Sequence, residues 1–240
     1  MPGAHAHNDY EHEKPLLDAI HFGFTSIEAD VLLINGELYV GHNMPVSENS
    51  DLPTIETSYL QPMDSIIRLN GGTLYPGYYG ICYLMIDIKS DSGKTYELLH
   101  EKLEPYKSWI YSPKMNPGGK VVIFLSGNRP VSEVLNDREG YLALDGRPED
   151  LGTGYTRDQM PVISQAFYIY SKWGGDGEMP EEDRDRIKEL AASVHMENKK
   201  LRLWAHPDNP QAWDLLLDLG VDFINSDDLM GLKKYFDKNE

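Results

Sequence analysis

Apolar and polar positions along the chain follow two registers, one of period two and one of period about 3.6, and the registers take turns from end to end. Residues 3–7 alternate and predict a first strand. A helix is predicted over 13–22, with Leu16, Leu17 and Ile20 on one face and Gly23 just past its end. Residues 26–33 predict the next strand, and 37–42 pair with it as a short hairpin across the turn dipeptide Asn35-Gly36. The stretch 43–81 is polar and punctuated by Pro and Gly, with one helix around 62–69, and a loop excursion of that length usually carries function. Beyond it, strands are predicted at 83–89, 121–126, 141–144, 161–169, 201–205 and 221–225. Helices are predicted at 93–104, 130–137, 181–197, 210–219 and 228–236. Strand and helix alternate throughout, which predicts a parallel sheet. Roughly eight strands in a chain of this length favour a closed (β/α)8 TIM barrel, slightly distorted, forming a single domain over residues 1–240.

Composition narrows the function classes. A formal charge of −17, with no run among the few basic residues, argues against nucleic acid as a partner and disfavours anionic bilayers. No stretch approaches the ~18 apolar residues of a membrane span, so no stable membrane insertion is expected. Cys82, the lone cysteine, sits in an apolar run and reads as a buried, inert thiol. No glycine-rich dinucleotide fingerprint, P-loop or internal repeat is present. The first strand begins at Gly3 with no leader before it; that start reads as a trimmed one, with the native protein periplasmic or secreted, and otherwise cytoplasmic. A monomer or weak dimer is expected.

Three strands carry polar pairs two residues apart: His5 and His7, Glu28 and Asp30, Asp87 and Lys89. That spacing puts both members of a pair on one strand face, and in a barrel the inward face opens at the C-terminal rim, where active sites lie. Buried carboxylates need a compensating cation, since each unpaired one costs several kcal/mol. An all-oxygen set suits a hard divalent ion, Mg²⁺ or Ca²⁺. The competing reading of Glu28 and Asp30 is a surface strand edge or an internal salt bridge with Lys89. His42 follows the hairpin and overhangs the same rim, where with His7 it forms a pair able to serve as general base and general acid. His12, His21, His100 and His195 fall on helices or loops and read as solvated.

The runs at 5–10, 22–31, 38–42 and 85–89, with 203–206 and 220–227, together resemble the glycerophosphodiester phosphodiesterase-like superfamily, a group of phospholipase C-like barrels that includes the sphingomyelinase D enzymes. The resemblance spans nearly the whole chain in order. It implies Glu28, Asp30 and Asp87 as ligands of one divalent cation, and His7 and His42 as the acid/base pair. It also implies Lys89 as a phosphate contact and Trp204 as a pocket wall. Asn8 and His5 are expected to contact substrate. His5 and His7 both face inward, so the choice of catalytic imidazole stays open; His7 lies nearer the rim. The family's usual His-Arg-Gly becomes His7-Asn8-Asp9, and residues 13–16 stand where Pro-Glu-Asn is usual, so the phosphate-binding arginine is missing. Arg147 or Lys172 could replace it. The Asp-Ile-Lys strand at 87–89 is nearer the sphingomyelinase D pattern.

The resemblance thus implies a metal-dependent phosphoric diester hydrolase, acting in lipid metabolism on a small-molecule or lipid-headgroup phosphodiester. An amidohydrolase or a polymerase-and-histidinol-phosphatase-like hydrolase would need several further histidine ligands, and only His206 is well placed. A non-catalytic barrel that binds a phosphorylated ligand is the other alternative; loss of the histidine pair would mark it. Ser126, Asn128, Asp145, Arg147, Lys172 and Trp173 are further rim residues. The tyrosine-rich segment at 75–83 reads either as an aromatic lid or as a packed loop.

Overall fold

The structure, a computed structural model, describes residues 1–45 and 52–239. Residues 46–51 of the predicted excursion lie outside that range. The strands are β1 (Ala4–Ala6), β2 (Ser26–Ile34), β3 (Glu37–Val40), β4 (Cys82–Ile88), β5 (Val121–Gly127), β6 (Leu142–Gly146), β7 (Val162–Ala166), β8 (Lys200–Trp204) and β9 (Phe223–Ser226). All but β3 run parallel, and β1 pairs with both β9 and β2, which closes the predicted eight-stranded (β/α)8 barrel. β3 returns antiparallel along β2 as the predicted hairpin. The helices are α1 (Leu17–Phe22), α2 (Gln61–Leu69), α3 (Ser92–Leu103), α4 (Val131–Asn136), α5 (Glu181–Met196), α6 (Pro210–Asp218) and α7 (Leu229–Asn239). Two start at side-chain caps that satisfy a free backbone N–H: Asp91 accepts from Lys94 N at 2.8 Å, and Asn209 from Ala212 N at 3.0 Å.

Two expectations are corrected, and one pair of alternatives is decided. The first helix begins at Leu17 rather than 13, because Leu16 has φ 64° and its N–H is held 2.6 Å from the buried carboxylate of Asp9, a bond incompatible with continuing the helix backwards. The strand predicted over 161–169 ends at Ala166, where residues Phe167–Ile169 turn into a short 3-10 segment. The tyrosine-rich segment is a packed approach to the N-terminal end of β4, not a lid on the rim. Tyr75 donates to Phe24 O and packs edge-to-face with Tyr78, 6.4 Å between centroids.

Period two along the strands sorts the barrel interior into layers. Met85, Phe124, Ala143, Val162 and Phe223 form a buried apolar plug, separate from the larger core between barrel and helices. Two residues further along the same strands the interior turns polar: Asp87 follows Met85, Ser126 follows Phe124, Asp145 follows Ala143, Ser164 follows Val162 and Asn225 follows Phe223. Hydrogen-bonded register aligns Asp30 with Asp87 and Asp87 with Ser126, so the charged layer is level across three neighbouring strands. Cys82 lies outside this interior; burial pushes its thiol up to about 12, as suits an inert core residue.

Candidate metal centre and active site

Glu28 and Asp30 of β2 and Asp87 of β4 converge at the C-terminal end of the barrel. One carboxylate oxygen from each lies within 4.8 Å of the others, twice the Ca²⁺–oxygen distance of about 2.4 Å. Among the described residues this is the grouping able to hold a cation, and it contains no imidazole. Glu28 and Asp30 are buried, and Asp87 is half-buried.

Protein cations compensate these acids only in part. Arg202, buried on β8, brings an Nη to 2.9 Å from Glu28 Oε2 and donates through Nε to Asn225 Oδ1 at 3.1 Å. His5 Nε2 donates to the same Glu28 oxygen at 3.1 Å, while its Nδ1 accepts from Ser26 Oγ at 2.7 Å. Burial alone would raise the Glu28 carboxyl; Arg202 and His5 outweigh it and hold the group at about 2. Burial, with Arg202 beside it, presses His5 down to about 4, so the ring is neutral and its single proton faces Glu28. Lys89 Nζ stands 3.3 Å from Asp30 Oδ2 and 3.1 Å from Asp87 Oδ1, so the predicted internal ion pair exists. It does not saturate the site. Asp30 Oδ1 and Asp87 Oδ1 are buried with no hydrogen bond, the Lys89 contact to the latter being an ion pair off the hydrogen-bonding direction. Burial, joined by Glu28 and Asp30, raises the Asp87 carboxyl to about 6 against the pull of Lys89.

Gly127 keeps this corner open. Its φ is +66°, and a Cβ there would stand 2.1 Å from Asp87 Oδ1 and 2.5 Å from Ile88 O. A side chain is therefore excluded from the space beside an oxygen whose only protein contact among the described residues is the Lys89 ion pair. Buried acceptors, an open corner and an all-oxygen donor set fit a hard divalent cation.

The histidines are arranged at two levels. His5 is fully buried and both its nitrogens are engaged, so the ring lies beneath the opening and offers a substrate no surface. His7 sits at the rim with Nδ1 2.8 Å from Asp227 Oδ1. Burial works against its protonation, but the Asp227 bond and the nearby Glu28 outweigh burial and raise its pKa. Asn8 Nδ2 lies 3.3 Å from the same Asp227 oxygen, which ties the predicted Asn8 contact to orienting His7. His42, whose side chain is 53% exposed, directs Nδ1 to Asp30 Oδ2 at 2.7 Å. In both rings a carboxylate takes the Nδ1 proton, and Nε2 has no protein partner among the described residues. Trp204, half-buried two residues beyond Arg202 at the end of β8, packs edge-to-face with Tyr168 at 5.9 Å between centroids.

The far side of the rim is built differently. Asp145 is fully buried and takes Ser126 Oγ at 2.8 Å, Ser164 Oγ at 2.6 Å and Arg147 at 2.7 Å. Arg147 also donates to two backbone carbonyls, so the expected replacement for the missing arginine is largely committed to its own strand end. Sequence reasoning missed Arg202 and Asp227. Arg202 had a signal: it lies between Leu201 and Leu203 at period two from Trp204, an inward position like that of Asp87. Asp227 lay in a quoted run, and only the return of β9 beside β1 shows that it meets His7.

A family model described as an AIM6-like phosphodiesterase domain matches residues 2–75. The chain is 30% identical to altered inheritance of mitochondria protein 6 of Eremothecium gossypii, over 96% of this chain and 68% of that protein. It is 28% identical to a homolog of that protein in Arthroderma benhamiae, over 97% of this chain and 83% of the relative. Among solved structures it resembles a glycerophosphodiester phosphodiesterase from Parabacteroides distasonis, with a TM-score of 0.61 at 16% identity over 100% of this chain and 99% of the other. At that identity the likeness is one of fold, the closed (β/α)8 barrel.

Proposed function

The chain belongs to the family of altered inheritance of mitochondria protein 6, and from that premise we propose that it is a metal-dependent phosphodiesterase. The observation that carries the reading is the pair of buried acceptors without a hydrogen bond, Asp30 Oδ1 and Asp87 Oδ1, gathered with Glu28 beside a corner kept open by Gly127. Glu28, Asp30 and Asp87 would hold one Mg²⁺ or Ca²⁺. Such an ion, when bound, supplies positive charge to a phosphate and its developing negative charge.

The chain's own residues do the rest. His7 and His42 each keep Nδ1 on a carboxylate and leave Nε2 without a partner among the described residues, the arrangement of a proton acceptor and a proton donor. Asp227 favours the charged form of His7, whereas His42 leans on a carboxylate, Asp30, that the cation would share. Lys89 lies between two ligands with its side chain 21% exposed, within reach of a phosphate oxygen. His5 and Arg202 fix the orientation of Glu28 from below by engaging one of its oxygens. Trp204 with Tyr168 offers an apolar wall to the leaving group.

The test is hydrolysis of bis-p-nitrophenyl phosphate, glycerophosphocholine, glycerophosphoinositol, phosphatidylinositol and sphingomyelin with EDTA, Mg²⁺, Ca²⁺ or Mn²⁺. Glu28→Gln serves as the blank. Cleavage that needs metal, disappears in the blank and falls at least about 10²-fold in His42→Ala with metal affinity kept supports the reading. A folded protein that binds Ca²⁺ yet cleaves none of the five is a binding barrel instead.

A further inference from the structure

The end of the barrel opposite the carboxylates is open as well. A cavity of about 510 Å³ lies among the N-terminal ends of the strands, lined by Tyr83 of β4, Val122 of β5, Tyr141 just before β6 and Lys200 of β8. Arg157 and Asn198 enter it from connecting loops. The plug of Met85, Phe124, Val162 and Phe223 separates it from the charged layer, so an occupant would not share the carboxylate site. Its volume is in the range of small-molecule sites, about 300–1,000 Å³.

The N-terminal face of such a barrel ordinarily serves stability, and a stabilising face is packed and hydrogen-bonded. This one is neither. Among the described residues, the hydroxyls of Tyr83 and Tyr141 line the cavity without a protein hydrogen bond, and the Asn198 side chain has none either. Arg157 has only Asp158 near it, at 4.0 Å, and its side chain is 65% exposed. Lys200 Nζ reaches Asp222 at 3.3 Å and keeps its remaining protons. The carboxylates are engaged: Asp158 accepts from Tyr111 at 3.0 Å, while Asp222, just outside the lining, accepts from His195 and Leu201 N as well as Lys200. The lining contains one acidic residue, Asp158, against the basic Arg157, His195, Lys199 and Lys200, in a chain whose acids outnumber its bases 39 to 22. Lys199 is paired with Glu197, and His195 and Lys200 share Asp222, so Arg157 is the least committed cation of the lining, with Lys200 keeping two ammonium protons beyond its bond to Asp222.

We propose that this cavity is a second binding site, for a small organic anion with a flat apolar body. The body packs between the phenol rings and Val122, and the anionic group meets Arg157 and Lys200. Spare donors, an excess of basic over acidic side chains and aromatic walls suit such a ligand and disfavour a cationic or purely aliphatic one.

Titration with anilinonaphthalene sulfonate, a flat aromatic anion that fluoresces on leaving water, tests the proposal. The expected result is saturation at one probe per chain. Affinity should be the same in EDTA and in Ca²⁺, and should weaken at least about tenfold in Arg157→Ala and in Val122→Trp. Tyr141→Phe, which removes one hydroxyl from a solvent-lined wall, should weaken binding by a smaller factor and keeps the test usable where the tryptophan variant fails to fold. Diester hydrolysis by Arg157→Ala should equal that of the parent chain, which separates this site from the proposed catalytic one. Absence of saturable binding, several weakly held probes per chain, or equal affinity in Arg157→Ala and Tyr141→Phe would overturn it.

Discussion

Asp87 and Asp145 make an instructive pair. Both end an inward-facing row of the same barrel, both follow apolar neighbours, and both are withdrawn from solvent. Asp145 has each oxygen occupied, one by Ser164 and the other by Ser126 and Arg147. Asp87 keeps Oδ1 without a hydrogen bond, faces two further carboxylates and shares one lysine with Asp30. Burial of an acid is thus not what makes Asp87 the candidate ligand and Asp145 not; the difference is burial with acceptor capacity left over. Asp145 belongs to a closed network that holds β5, β6 and β7 together, whereas the Asp87 corner is incomplete.

The sharpest way to break the comparison is to neutralise each acid. Asp87→Asn should abolish Ca²⁺ binding by calorimetry and lower metal-dependent hydrolysis at least about 10³-fold, because a ligand and its charge are lost together. The Tm of the metal-free protein should hold or rise, since one of three mutually repelling carboxylates is gone. Asp145→Ala should do the reverse, costing about 3 kcal/mol of stability by stranding two serine hydroxyls and an arginine while leaving Ca²⁺ affinity nearly intact. Equal losses of Tm in the two variants would mean that both acids are structural.

This pair also shows where the sequence stops being readable. The barrel was legible, because alternating registers and strand count are local properties that survive folding, and so was the inward direction of Glu28, Asp30 and Asp87. Element ends were less so: Leu16 adopts its positive φ through a long-range bond to Asp9, which nothing in residues 13–16 announces. Partners were the least legible. That Asp145 is satisfied depends on serines from two other strands, and that Glu28 is steadied by Arg202 depends on residues 174 positions apart. Spacing reports which way a side chain points, and only closure of the barrel reports what it meets.

A smaller effect is expected at the rim, where Asp227 orients His7. Asp227→Ala should lower hydrolysis about 10- to 100-fold, the usual loss when a residue that orients a catalytic histidine is removed. The direction of the pH response discriminates orientation from folding. The Asp227 bond helps hold the His7 pKa above its ordinary value, so removing it should move the His7 limb of the rate profile to lower pH, in whichever step that ring serves. A reduced rate with an unmoved limb would assign Asp227 to structure, on the side of Asp145 rather than Asp87.

The smallest effect is a titration with opposite signs for binding and for stability. Burial first, then Glu28 and Asp30, hold the Asp87 carboxyl at about 6 in the metal-free chain, against an ordinary value of 3.8. Protons therefore compete with the cation below pH 6, and Ca²⁺ affinity should fall about tenfold for each pH unit under that point while staying level above it. Stability of the metal-free chain runs the other way. The folded form binds the Asp87 proton more tightly than the unfolded form does, so the fold gains as pH falls through about 6, until the unfolded chain also protonates near 3.8. Calorimetric Ca²⁺ titrations and thermal melts at the same three pH values, about 5, 6 and 7, would read both. If affinity stays level down to about pH 5, water already reaches Asp87 Oδ1 and its partner is solvent; if affinity falls while the melting temperature rises, the incompletely satisfied acceptor beside Gly127 is what separates this carboxylate from Asp145.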